Sequence, residues 1–186
     1  MQIKLKHAIV ISVLAVASAG YALMPSVAQK PVQTVTNTGV VAHIGPAYLY
    51  PNPQLTPGKA DTLSFQDLTA RYNGQTYSQA HRNVSNTEKN QVCNEYPDNC
   101  KVSNEKDHFY PLCAGGSNDI TNLWAQPEVN QWKGEDWGFH RKDKLESWIC
   151  VQIKAGKLDP KDAFQRLTSD WVKFYQDNQS SIESTH

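Results

Sequence analysis

Asp107 and His108 stand side by side in a segment of strand-forming residues, Asn122 follows a Gly115-Gly116 pair, and His140 opens a segment with helical periodicity. Hydrolytic sites are built from these residue types. An imidazole titrates near neutral pH and can move a proton, while a carboxylate or a second imidazole can serve a divalent cation. Neighbours on an extended strand point to opposite faces, so one of Asp107 and His108 can bind a metal while the other faces a substrate. A single histidine is more often a satisfied core or surface residue, and a single aspartate a solvated charge. The ordered set is the signal.

These residues need elements to position them. Residues 105–113 read as a strand, because Phe109 and Tyr110 favour extended backbone and the segment stops just before Gly115-Gly116. Residues 120–124 read as the returning strand, and the polar, glycine-punctuated 126–138 as a surface loop. Leu145, Trp148, Ile149 and Ile153 recur at helical spacing across 139–155, with Gly156 placed to end that helix. Asp159 as cap and Pro160 at the first position start another, with an inward stripe of Phe164, Leu167, Trp171 and Phe174 or Tyr175. Short helices are expected within 61–70 and 87–92, the second behind a cap-like Ser85-Asn86-Thr87-Glu88. The fold class is α+β.

The chain has 186 residues, enough for one domain of ordinary size, with 18 basic and 18 acidic residues. That balance excludes a nucleic-acid partner recruited by bulk charge; any such partner must be held by a local site. Residues 1–28 have the build of a signal peptide: Lys4 and Lys6, the 16-residue apolar run 8–23, then Ser26-Val27-Ala28. The run falls short of the ~20 residues a spanning helix needs. Cleavage leaves 16 basic against 18 acidic residues, a net charge of −2. A secreted or periplasmic protein follows, with no stable membrane association after cleavage.

Cys93, Cys100, Cys113 and Cys150 suit an oxidising compartment and lack zinc-site spacing. Three pairings are possible. The turn-forming Pro97-Asp98-Asn99 favours Cys93 with Cys100, leaving Cys113 with Cys150 to tie a strand to a helix.

Asp107-His108, Pro111-Leu112, Gly115-Gly116-Ser117-Asn118-Asp119, Asn122-Leu123-Trp124 and His140-x-Lys142-Asp143-Lys144-Leu145-Glu146 together resemble an HNH nuclease of the exported HNH-like branch. Weaker likeness runs upstream through Thr56-Pro57-Gly58, Arg82 and Lys89 to Tyr96, and downstream through Gly156-Lys157-Leu158 to Asp170-Trp171, roughly two-thirds of the chain. The resemblance implies a ββα-metal core, a β-hairpin plus helix, with additional helices and disulfide bracing. The nuclease domain would span 58–178, preceded by an irregular arm at 29–57 and followed by a tail at 179–186.

By the same resemblance, His108 is the general base, Asn122 orients the catalytic loop and His108, and Arg82 touches the scissile phosphate. Asp107 and His140 hold one divalent ion, Mg2+ first, with Mn2+, Ca2+ or Zn2+ as alternatives. Arg141, Lys142 and Lys144 reach the phosphate backbone. The implied activity is hydrolysis of DNA with little sequence specificity, with RNA as a further substrate; the alternative is a secreted, disulfide-stabilised binding module on a non-catalytic scaffold. The chain departs from many relatives in lacking zinc-binding cysteine pairs and in carrying Cys113-Ala114 before Gly115-Gly116. The insert before His140 leaves Asn130 as the fallback ligand.

Overall fold

The computed structural model describes residues 43–101 and 103–185. The signal-peptide segment and residues 29–42 of the arm lie outside them.

Ser64, Thr76 and Ser85 each open a helix through a reciprocal capping box. Each hydroxyl accepts the N–H of a residue three positions on, Asp67, Gln79 or Glu88, whose side chain bonds back to the cap. The helices are α1 (Phe65–Thr69), α2 (Tyr77–His81) and α3 (Asn86–Glu95). The expected helices in 61–70 and 87–92 correspond to α1 and α3. The helix α2 has five residues, too few to display a hydrophobic period.

β1 (Glu105–His108) pairs antiparallel with β2 (Leu123–Gln126), Asp107 opposite Trp124 and His108 opposite Leu123. β1 is shorter than its strand formers suggest. Both backbone groups of Tyr110 are taken by the Asn122 side chain instead of a partner strand, and the chain turns into a 3-10 segment at Leu112–Ala114. Cross-strand partners share a face, so Leu123 and Ala125 pack with Val92 of α3 while Trp124 joins the main core.

The expected surface loop 126–138 contains a second hairpin, β3 (Gln131–Trp132) and β4 (Glu135–Asp136). Lys133 and Gly134, at φ 52° and 79°, make the two-residue turn. Trp137, which follows, is buried among Trp132, Trp171 and Tyr175.

α4 (Phe139–Lys154) and α5 (Pro160–Glu183) bury the stripes their spacing implies, Leu145, Trp148, Ile149 and Ile153 against Leu167, Trp171, Phe174 and Tyr175. Each such side chain removed from water is worth about 1.5–3 kcal/mol. α5 breaks at Asp170, whose carboxylate accepts the Lys173 N–H and so caps the second half afresh. The same carboxylate accepts from Tyr50 Oη and from Ile44 N, each at 2.7 Å. Trp171 Nε1 donates to the Leu49 carbonyl at 2.8 Å, and Leu49 and Tyr50 lie in the main core. The described part of the arm is therefore packed structure, as is Ile182 near the other end.

Cys93 is bonded to Cys100 and Cys113 to Cys150; no cysteine is free. The second bridge ties the loop after β1 to α4. The protein is an α+β, disulfide-braced fold with two two-stranded sheets among its described residues. No helix among these residues is long and apolar enough to cross a membrane.

Candidate active site

The loop between β1 and β2 is shaped by two glycines and one asparagine. Gly115 has φ +99°, and a Cβ on Gly116 would lie 1.9 Å from the Tyr110 carbonyl oxygen, so neither position accepts a side chain. Asn122 is fully buried. Its Oδ1 accepts from Tyr110 N (2.9 Å) and Lys59 N (3.2 Å), and its Nδ2 donates to the carbonyls of Tyr110 and Ser117, both at 2.9 Å. Asn122 thus fastens the loop to itself and to the segment after Gly58. It makes no hydrogen bond to His108.

That contact belongs to Asn118, in the segment 115–119. Asn118 Nδ2 donates to the His81 carbonyl at 2.8 Å, which turns Oδ1 toward Asn83 N at 3.4 Å and His108 Nε2 at 3.1 Å. An amide oxygen only accepts, so Nε2 carries the imidazole proton and Nδ1 is left with a free lone pair. His108 is 2% exposed and Nδ1 has no hydrogen-bond partner. Burial pushes the imidazole below its ordinary value, against Asn118 and Asp107, which raise it. A neutral ring with one open basic nitrogen is the state a proton acceptor needs.

On the opposite face of β1, Asp107 meets α4. Carboxylate oxygens of Asp107, Asp143 and Glu146 all lie within 4.8 Å of one another. Lys142, placed by the sequence reading on a phosphate-facing surface, is instead fully buried. Its Nζ donates to Asp107 Oδ2 at 2.5 Å, to the His108 carbonyl at 2.8 Å and to Glu146 Oε1. A helix position facing a buried strand carboxylate turns inward whatever its chemistry suggests. Burial alone would lower the Lys142 ammonium, but Asp107 and Glu146 outweigh it and hold it above its usual range.

Three carboxyl groups face one ammonium, a formal excess of two negative charges with all of them ionised. Burial and then Asp107 push both Asp143 and Glu146 upward, Glu146 strongly, so each holds its proton to higher pH than an ordinary carboxyl unless a cation is near. Asp143 makes no hydrogen bond or ion pair among the described residues. The donor set fits a divalent cation, and its oxygens suit Mg2+, Mn2+ or Ca2+ better than the nitrogen- and sulfur-favouring Zn2+.

His140, expected as the second metal ligand, is exposed at the start of α4 with its ring 4.1 Å from that of Phe139, outside the three-carboxylate group. Its charge is still felt by Asp143. Position Asn130 is bound up elsewhere, donating from Nδ2 to the Tyr48 carbonyl. Arg82 is exposed at the C-terminal end of α2, and its charge bears on Glu105, His108 and Asp143 together. Arg141 pairs with Glu135 at 2.5 Å and lies over the Trp137 and Tyr175 rings; Lys144 pairs with Glu183 at 3.0 Å. The contributions of Asp143, Glu146 and Asn118 went unassigned. Helical spacing offers a signal for two of them, since Lys142, Asp143 and Glu146 cluster at one, three and four residues apart beside an aspartate-bearing strand.

No family model, no curated protein and no solved structure matches this chain.

Proposed function

We propose that the protein is an exported, metal-dependent endonuclease of HNH type that hydrolyses phosphodiester bonds of DNA with little sequence specificity, RNA being a further substrate. One observation carries this reading: a buried His108 with Nδ1 unpartnered stands beside Asp107, whose carboxylate gathers with Asp143 and Glu146 of α4 around a single lysine. The hairpin of β1 and β2 followed by α4 is the order of a ββα-metal core.

In this reading His108 Nδ1 takes the proton from the attacking water while Asn118 holds the ring and its tautomer. Asp107 and Asp143, with Glu146, would hold one divalent ion. When bound, that ion supplies positive charge for the phosphorane and the departing oxygen. Arg82 lines the same cleft as His108, where it would meet a phosphate. Lys142 fixes the Asp107 carboxylate and ties it to α4. The two disulfides and the composition of residues 1–28 support a secreted or periplasmic location.

The test is incubation of the disulfide-bonded protein, purified from an exporting host, with supercoiled plasmid, single-stranded DNA and RNA. Each is run with Mg2+, Mn2+, Ca2+, Zn2+ or chelator. Metal-dependent nicking that chelator abolishes is expected. Intact substrates under every condition would leave a binding module as the better description.

A further inference from the structure

The expected backbone contacts on α4 are engaged otherwise: Lys142 is buried, Arg141 is paired and stacked, and Lys144 is paired with Glu183. Cationic side chains gather on the other face of β1. A cleft of about 470 Å³ is lined by Arg82, Asn83, Val84, Lys89, Glu105, Lys106 and His108. Among the described residues Arg82, Lys89 and Lys106 form no ion pair; the Lys106 ammonium meets only the carbonyls of Lys101 and Asn104, at 3.4 and 3.3 Å. Three cations against the one carboxylate of Glu105 make this cleft positive in a chain whose formal charge is zero.

The cleft is built into the fold. Lys106 and His108 are two apart on β1 and project to the same face, toward α3, which carries Lys89. Asn118 joins the walls: one amide bonds the His81 carbonyl, the Asn83 N–H and His108 Nε2, so it holds the Arg82 segment and the imidazole in one frame. The backbone of Arg82, held through Asn118, and Lys106, on the same strand, therefore cannot drift independently of His108.

We propose that this cleft is the nucleic-acid track: a phosphodiester backbone lies between β1 and α3, one phosphate at His108 and Arg82, its neighbours on Lys89 and Lys106, with α4 contributing no backbone contact. This rests on the endonuclease reading and specifies the substrate's path. Backbone contacts of this kind are sequence-independent and release counterions, so they are read in the salt dependence of binding.

The experiment uses full-length protein carrying His108→Ala, to prevent cutting, and a short labelled duplex titrated at several salt concentrations. Adding Lys89→Glu and Lys106→Glu together is expected to weaken binding by roughly tenfold or more and to reduce the log–log salt slope by about 2, given about 0.9 per lost phosphate contact. Lys89 is exposed and Lys106 half-buried, and circular dichroism checks that each variant is folded. An unchanged slope in that variant overturns the track, as does a loss of slope on Arg141→Gln with Lys144→Glu instead. In either of those outcomes, cutting by the unsubstituted enzyme keeps the endonuclease reading. If the unsubstituted protein neither cuts nor binds any nucleic acid, that reading and the track fall together.

Discussion

Two buried polar knots in this protein have opposite characters. Around Asp170, one carboxylate takes hydrogen bonds from Tyr50, Ile44 and Lys173, locks a helix break to the N-terminal arm, and sits among aromatic core residues. Every donor aimed at it is satisfied. Around β1, a buried lysine faces three carboxyl groups, Asp143 has no hydrogen-bond or ion-pair partner among the described residues, and the buried His108 Nδ1 has no hydrogen-bond partner. Buried polar groups are normally satisfied because leaving them unpaired costs about 1–3 kcal/mol each. The first knot does what stability asks; the second leaves a buried imidazole nitrogen and a cluster of carboxyl groups unmet, and in the proposed function these bind a proton and a cation.

The contrast is most sharply tested by His108→Ala. Cleavage is expected to fall on the order of 10³-fold, within the range a general base supplies, with cation affinity nearly unchanged. Plasmid nicking and calorimetry with Mg2+ measure the two; turnover within a few-fold of the parent would remove His108 from the chemistry.

Lys142→Met should come next, costing about 3–5 kcal/mol in urea unfolding with chelator present, because Asp107 and Glu146 lose their buried partner. Excess Mg2+ should restore part of that loss. A variant whose stability ignores the metal would show that the three carboxylates are no cation site.

At the satisfied knot, Asp170→Ala is expected to cost about 2–3 kcal/mol by stranding three donors. Cleavage per folded molecule should not change. A drop in turnover at full folding would erase the distinction drawn between the two regions.

The smallest effect concerns Asp119 in the loop between β1 and β2. Hydrogen bonds from Lys59 first, then Thr121, hold its carboxyl down to about 2. A depressed acid stabilises the fold fully above its unfolded value of about 3.9 and loses that contribution as pH falls through about 2. Thermal melts between pH 5 and 2 should decline less steeply in Asp119→Asn than in the parent.

How much of this was legible beforehand differs by element. The two long helices were readable because sixteen and twenty-four residues give an apolar period room to repeat. Ser85 announced α3 by local cap chemistry. The β3–β4 hairpin was hidden because two-residue strands carry no period, and its lysine-glycine turn looks like any polar loop. The extent of β1 was misread because Asn122, twelve residues away, takes the backbone groups that Tyr110 would have offered to a ladder.

The candidate site divides the same way. Residue types and order singled out Asp107, His108 and Asn122, since carboxylate, imidazole and amide have chemistry that no fold changes, and cysteine spacing with a turn between favoured the pairing that the structure has. Which nitrogen of His108 is open, which carboxylates gather at Asp107, and that Lys142 points inward while Lys106 lines the cleft were decided only by tertiary structure. Each depends on a partner distant in sequence: Asn118 on His81, Asp107 on α4, β1 on α3. A sequence states which groups can donate, accept or carry charge; only the packing of separate elements decides which of them are left without a partner.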